Sequence, residues 1–119
     1  MSISITTPQP GKSGFIINAT SADASGCEEL KAAPAAGVSI KVDHLTINNG
    51  ASAISITIGE GETTPGSVDT ALIGPIAMAV NTSIQFDFPY GMVLTAAKSL
   101  VVDASGSGAI CIFARGRVE

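Results

Sequence analysis

From Val38 onward, apolar and polar residues take turns along the chain. Val38, Ile40 and Val42 alternate with Ser39 and Lys41, and Leu45 and Ile47 continue on the opposite parity. Successive side chains of a strand point to opposite faces, so this is the pattern of a strand with one face in water. The change of parity at Asp43-His44 predicts a β-bulge or bend. Ile54, Ile56 and Ile58 alternate with Ser55 and Thr57 after Asn48-Asn49-Gly50, and Asn-Gly between alternating segments predicts a hairpin. The run Gly59 to Gly66, dense in Gly and polar residues, predicts a loop standing out from the body. Leu72-Ile73 and Ile76 to Val80 flank Gly74-Pro75, and Pro75, which has no N–H for a ladder, belongs at a sheet edge or strand start. Ile84, Phe86 and Phe88 alternate with Gln85 and Asp87, Pro89-Tyr90-Gly91 predicts a turn into Met92-Val93-Leu94, and Leu100 to Val102 and Ala109 to Ala114 complete the series.

About eight short strands, with turn signals roughly every 8 to 15 residues, predict an all-β fold, a single antiparallel sandwich or barrel. The one helical candidate, Glu28 to Ala33, is cut short by Pro34 and reads better as a loop or single turn. Residues 1–36 are less regular, with short extended pieces at Ser2 to Thr6 and Phe15 to Asn18 joined through Pro8, Pro10 and Gly11; they predict an extended N-terminal arm outside a sandwich formed by residues 37–119.

The last strand departs from the alternation. Ala109-Ile110-Cys111-Ile112-Phe113-Ala114 is apolar on both parities, so with Ile110 and Ile112 in the core, Cys111 and Phe113 need cover on the other face. Val93 and Val101 likewise stand on the opposite parity to Met92, Leu94, Leu100 and Val102. If these three strands share a sheet, Val93, Val101, Cys111 and Phe113 form a continuous apolar patch, the mark of a partner surface. The economical partner is another copy of the chain, with Ala96, Ala97, Ala109 and Ala114 allowing close approach; cover by loops or by the N-terminal arm is the rival.

Composition sharpens this picture. Of 119 residues, 45% are hydrophobic and only 13% charged, which leaves little solvated surface. Six Lys and Arg against ten Asp and Glu give a net charge of −4, and the cations are scattered, against the clustering that phosphate binding needs; no nucleic-acid partner is expected. The beginning of the chain has no cationic start and no apolar stretch approaches the ~18 residues of a bilayer span, so the expectation is a soluble protein with no membrane partner. Cys27 and Cys111 are expected to be reduced thiols.

Candidate chemistry is sparse. His44 is the only histidine; beside Asp43 it suggests a pair, but neighbours in a strand face opposite ways unless a bulge intervenes, and a hydrogen-bonded strand residue is the expected role. One His with two distant Cys does not make a zinc site. Glu60, Glu62 and Asp69 lack the spacing of a calcium loop, and Gly106-Ser107-Gly108 lacks the lysine and helix of a phosphate loop. Asn18-Ala19-Thr20 and Asn81-Thr82-Ser83 match the glycosylation pattern by chance. No cofactor, metal or catalytic residue is expected, and a cupin-like enzyme, which needs several metal-binding histidines, is disfavoured.

The order LTINNGASAISITIGEG followed by TALIGPIAMAVNTSIQFDFPYGMVLTAAKSLVVDASGSGAICIFARGRVE resembles the small jelly-roll capsid decoration (cement) proteins of tailed bacteriophages. The shared features are the Asn-Gly turn, the Gly-Pro-Ile strand entry, the Phe-Pro-Tyr-Gly-Met-Val-Leu segment and the Leu-Val-Val-Asp-Ala-Ser-Gly-Ser-Gly hairpin, over about two-thirds of the chain; phage tail-fibre and tumour-necrosis-factor-like jelly rolls share features of this kind. The resemblance implies a jelly-roll β-sandwich that is not an enzyme, made in the host cytoplasm. It implies a homotrimer on the outer capsid surface of the virion, clamping the major capsid protein. It also implies that the arm, with Ile3, Ile5, Pro8, Pro10 and Phe15, grips the capsid, since an extended segment can add to a sheet edge. The alternative is a receptor- or glycan-binding head of a tail fibre or spike, for which one Tyr and no Trp are few aromatics.

Overall fold

The computed structural model describes residues 4–6, 14–21, 26–61, 68, 70–106 and 109–119. Nine strands run through them: β1 (Ser4–Thr6), β2 (Gly14–Ser21), β3 (Gly26–Lys31), β4 (Ile40–Asn49), β5 (Ile54–Gly61), β6 (Thr70–Met78), β7 (Ser83–Val93), β8 (Ser99–Ala104) and β9 (Ile110–Val118). β5 pairs with β6, β4 with β7, β3 with β8 and β2 with β9, all antiparallel, so the chain from β2 to β9 is one long hairpin whose tip is the β5–β6 connection. The hairpin is rolled up so that β9 also pairs with β4 and β8 with β5. Two facing sheets result, in the orders β1-β2-β9-β4-β7 and β3-β8-β5-β6. The all-β antiparallel sandwich read from the alternation is the fold, and this winding is that of a jelly roll.

The core follows the alternation strand by strand. Ile40, Val42, Leu45 and Ile47 of β4, Ile54, Ile56 and Ile58 of β5, Leu100 and Val102 of β8, and Ile110, Ile112 and Ala114 of β9 are all buried. The parity change is a true bulge: the register of β4 shifts between Val42 and His44 against both neighbours. Pro75 lies on β6, an edge strand, as its missing donor requires.

Several expectations give way. The described parts of residues 1–36 are strands of the two sheets, not an arm outside them: β2 lies between β1 and β9, and β3 closes the edge of the second sheet. Phe15 is 2% exposed, opposite Gly116 of β9, where a Cβ on Gly116 would come 3.0 Å from the tip of the Phe15 ring. The segment Glu28 to Lys31 is strand, because pairing with β8 sets its conformation and buries Leu30. Asn48-Asn49-Gly50 is no hairpin. β4 and β5 lie in different sheets, and this corner carries the chain across: buried Asn49 donates through Nδ2 to the carbonyls of Ser52, Met78 and Ala79, and the Gly50 N–H donates to Ala109 O at 2.9 Å. Pro89-Tyr90-Gly91 does not turn the chain; β7 continues through it.

Gly59 to Gly61 belong to β5, and the carboxylate of Glu60 points inward. It accepts from the N–H and the hydroxyl of Thr95, both at 2.7 Å, tying the second sheet to the β7–β8 connection. Glu62 and Asp69 lie outside the described residues.

Candidate functional site

The outer face of the five-stranded sheet carries a group of interacting polar side chains. The bulge in β4 turns both Asp43 and His44 outward, the condition under which neighbours on a strand share a face. The partner of His44 is nevertheless Asp87, directly across on β7, with Nδ1 and Oδ1 2.6 Å apart; Nε2 lies 2.8 Å from Thr46 Oγ1. A carboxylate only accepts, so in the neutral ring Nδ1–H donates to Asp87 and Nε2 accepts from the Thr46 hydroxyl. The Phe113 ring stands edge-on to His44 at 6.0 Å. This is the hydrogen-bond order of an acid–histidine–hydroxyl relay. Thr46, however, is paired on one side with Gln85 and on the other with Phe113, so its strand's amides are held in ladders and offer no N–H pair for an oxyanion. Both ring nitrogens are occupied, as expected of a hydrogen-bonded strand histidine.

Towards the far end of β9 the charges form a chain. Lys41 Nζ lies 3.3 Å from Glu119 Oε2, Arg117 Nε bonds Glu119 Oε1, and Arg117 Nη1 lies 3.5 Å from Asp43 Oδ1. Hydrogen bonds from Arg117, then from Lys41, hold the Glu119 carboxyl below its ordinary range, and the same bond to Glu119, with the charges of Glu119 and Asp43, raises Arg117. Beside this chain lies an open depression of ≈ 460 Å³ lined by Asp43, Asp87, Phe88, Pro89, Arg115 and Arg117. Its rim is made by β7. Between the pairs Val42↔Met92 and His44↔Asp87, Phe88 to Gly91 bulge away from β4, with Gly91 at φ +81° and Tyr90 93% exposed.

A different surface runs along one edge of the sandwich. β6 ends one sheet and β7 the other, joined by residues 79–82. Leu72, Ile73 and Ile76 of β6 and Ile84, Phe86, Phe88 and Met92 of β7 touch the core but are only half-buried, and Phe86 and Phe88 stack on each other at 6.3 Å. Among the described residues, the large hydrophobics left exposed are Val80, Tyr90 and Val93, which lie on β7 or on the turn before it. Residues 70–86 carry no charge. This edge went unread in the sequence, where its only signal was that missing charge.

The residues read as an interface are not brought together. β7 and β9 are separated by β4, and β8 lies in the other sheet. Val93 is half exposed at an edge, whereas Val101 is fully buried within the chain. It pairs with Gly59, where a Cβ would collide with a Val68 methyl, so Val68 of the same chain packs on the neighbouring strand. Cys111 and Phe113 share the outer face of the first sheet, but among polar neighbours: Asn18 and Thr46 pair with Phe113, Thr20 and Asn48 with Cys111. Neither Cys27 nor Cys111 is in a disulfide. Of the arm residues, Phe15 is core and Ile5 pairs with Ala19 in β1; Ile3, Pro8 and Pro10 lie outside the described residues.

The fold and surfaces define a two-sheet jelly-roll sandwich with one incompletely closed edge, uncharged from residue 70 to residue 86. No family model, curated protein or solved structure matches the chain.

Proposed function

We propose that this is a structural protein that assembles with copies of itself along the β6–β7 edge. The supporting observation is the row of half-buried apolar side chains there. Edge strands are ordinarily guarded against pairing by charges, Pro, bulges or cover; β6 has Pro75 and an irregular register but no charge, and none falls between residues 70 and 86. A second copy would complete the burial and take up the unpaired backbone groups of β6. The resemblance to phage decoration proteins supports the rest of the reading: a homotrimer on the outer capsid surface that clamps the major capsid protein. A trimer meets several capsid sites at once, and linkage of this kind raises avidity by ~10² to 10⁴ over a single contact. In this reading the capsid grip stays with Ile3, Ile5, Pro8 and Pro10; Phe15 leaves it.

Co-sedimentation with undecorated capsids tests the assignment. The full chain is expected to pellet with them, and a chain lacking residues 2–12 to keep its native mass but stay in the supernatant. Full-length protein that fails to pellet would exclude the capsid role, and undiminished pelleting of the shortened chain would exclude a grip by residues 2–12.

A further inference from the structure

We propose that the depression beside the β7 bulge binds a carboxylate-bearing saccharide, such as a uronic or sialic acid unit. This goes beyond self-assembly and does not depend on it. The first observation is Arg115. Arg117 is neutralised by Glu119 and Asp43, but Arg115, exposed on the same face of β9, has no hydrogen-bond or ion-pair partner among the described residues. It lines the ≈ 460 Å³ depression and also a second one of ≈ 420 Å³ bordered by Phe15 and Ile16. A guanidinium presents a planar fork of N–H donors that matches a carboxylate two bonds at a time.

The second observation is what shares the wall with it. Asp87 gives one oxygen to His44, yet its side chain is 73% exposed, which leaves Oδ2 to accept from a hydroxyl. Asp43 stands alongside, its Oδ1 facing Arg117. Two carboxylates against two guanidiniums make a wall of no net charge, which offers a polyanion such as a nucleic acid no net attraction. It suits a ligand with one carboxylate set among hydroxyls. The third observation is the bulge. Phe88 and Pro89 give apolar surface to the depression and Tyr90, next along, holds its ring almost wholly in water. An aromatic face beside polar groups accepts the C–H face of a sugar ring. The volume lies within the ordinary range of small-ligand sites, about 300 to 1,000 Å³.

The test is calorimetric titration of the full chain with methyl glucuronide, methyl galacturonide and N-acetylneuraminic acid. Methyl glucoside serves as the neutral control and hexaglutamate as the acidic peptide. At least one acid sugar is expected to bind about tenfold or more tighter than the glucoside, and Arg115→Ala to lose about tenfold or more, the size of a charged hydrogen-bond pair. Tyr90→Ala is expected to lose severalfold, and both variants to melt with the parent because neither side chain is packed. Failure of all three acid sugars at tens of millimolar (roughly the floor of specific binding) overturns the proposal. So does equal binding of the glucoside, tighter binding of hexaglutamate, or unchanged affinity in Arg115→Ala.

Discussion

At the scale of the residue, environment decides what each side chain does, and two positions show how far that can be read in advance. Phe15 alternates with Ile17 and Ala19, but Ile16 blurs the pattern and the Pro- and Gly-rich stretch before it reads as an arm. Its burial comes from β9, far along the chain, a pairing that no local pattern reveals. Phe15→Ala should therefore destabilise the fold by about 3 to 5 kcal/mol, the cost of emptying an aromatic site in a core, as measured by urea unfolding. A surface arm would leave stability nearly unchanged. Glu119 is the opposite case, exposed and held by Arg117 and Lys41. Because its folded pKa is lowered, its contribution is present above the unfolded carboxylate range and is lost as pH falls through the folded value. Glu119→Gln should lower the urea midpoint slightly at neutral pH, and the gap to the parent should close through roughly pH 5 to 3. Moderate salt should shrink it too, since exposed pairs are screened.

At the scale of the element, alternation located most of the strands, and the bulge at Asp43-His44 was legible because it shifts the parity. What each strand pairs with was not. A turn signal says that the chain reverses, and in a jelly roll the reversal at Asn49-Gly50 leads into the other sheet, where buried Asn49 replaces ladder bonds with three of its own. Asn49→Ala leaves those carbonyls short of a donor at a buried corner. It is expected to cost about 1 to 3 kcal/mol, read as a lower melting temperature; a hairpin Asn, solvated and free, would cost a few tenths at most. The segment Phe88 to Gly91 shows the same limit. Its composition reads as a turn, yet β4 continues past it on both sides, and the extra residues become a bulge that displays Tyr90.

At the scale of the whole molecule, the low charge content pointed to little solvated surface, and the sandwich that provides the core followed from the period of two. The location of the uncovered surface did not, because parity separates the two faces of a sheet but is silent about its edges. Val93, Val101, Cys111 and Phe113 were gathered by parity alone, and the roll distributes them over two sheets. The polar half of the outer face, from His44 to Arg115, was equally hidden, since it is assembled from β4, β7 and β9. The open edge between β6 and β7 is the central claim. Ala77, exposed on β6, can be changed to Glu without entering the core. The most direct measurement is native mass by light scattering, over about a hundredfold dilution in reducing buffer, for the parent and Ala77→Glu. A parent of three chains at every concentration, with Ala77→Glu a folded monomer, is the predicted result. A monomeric parent, or a trimer indifferent to the charge at Ala77, would contradict it.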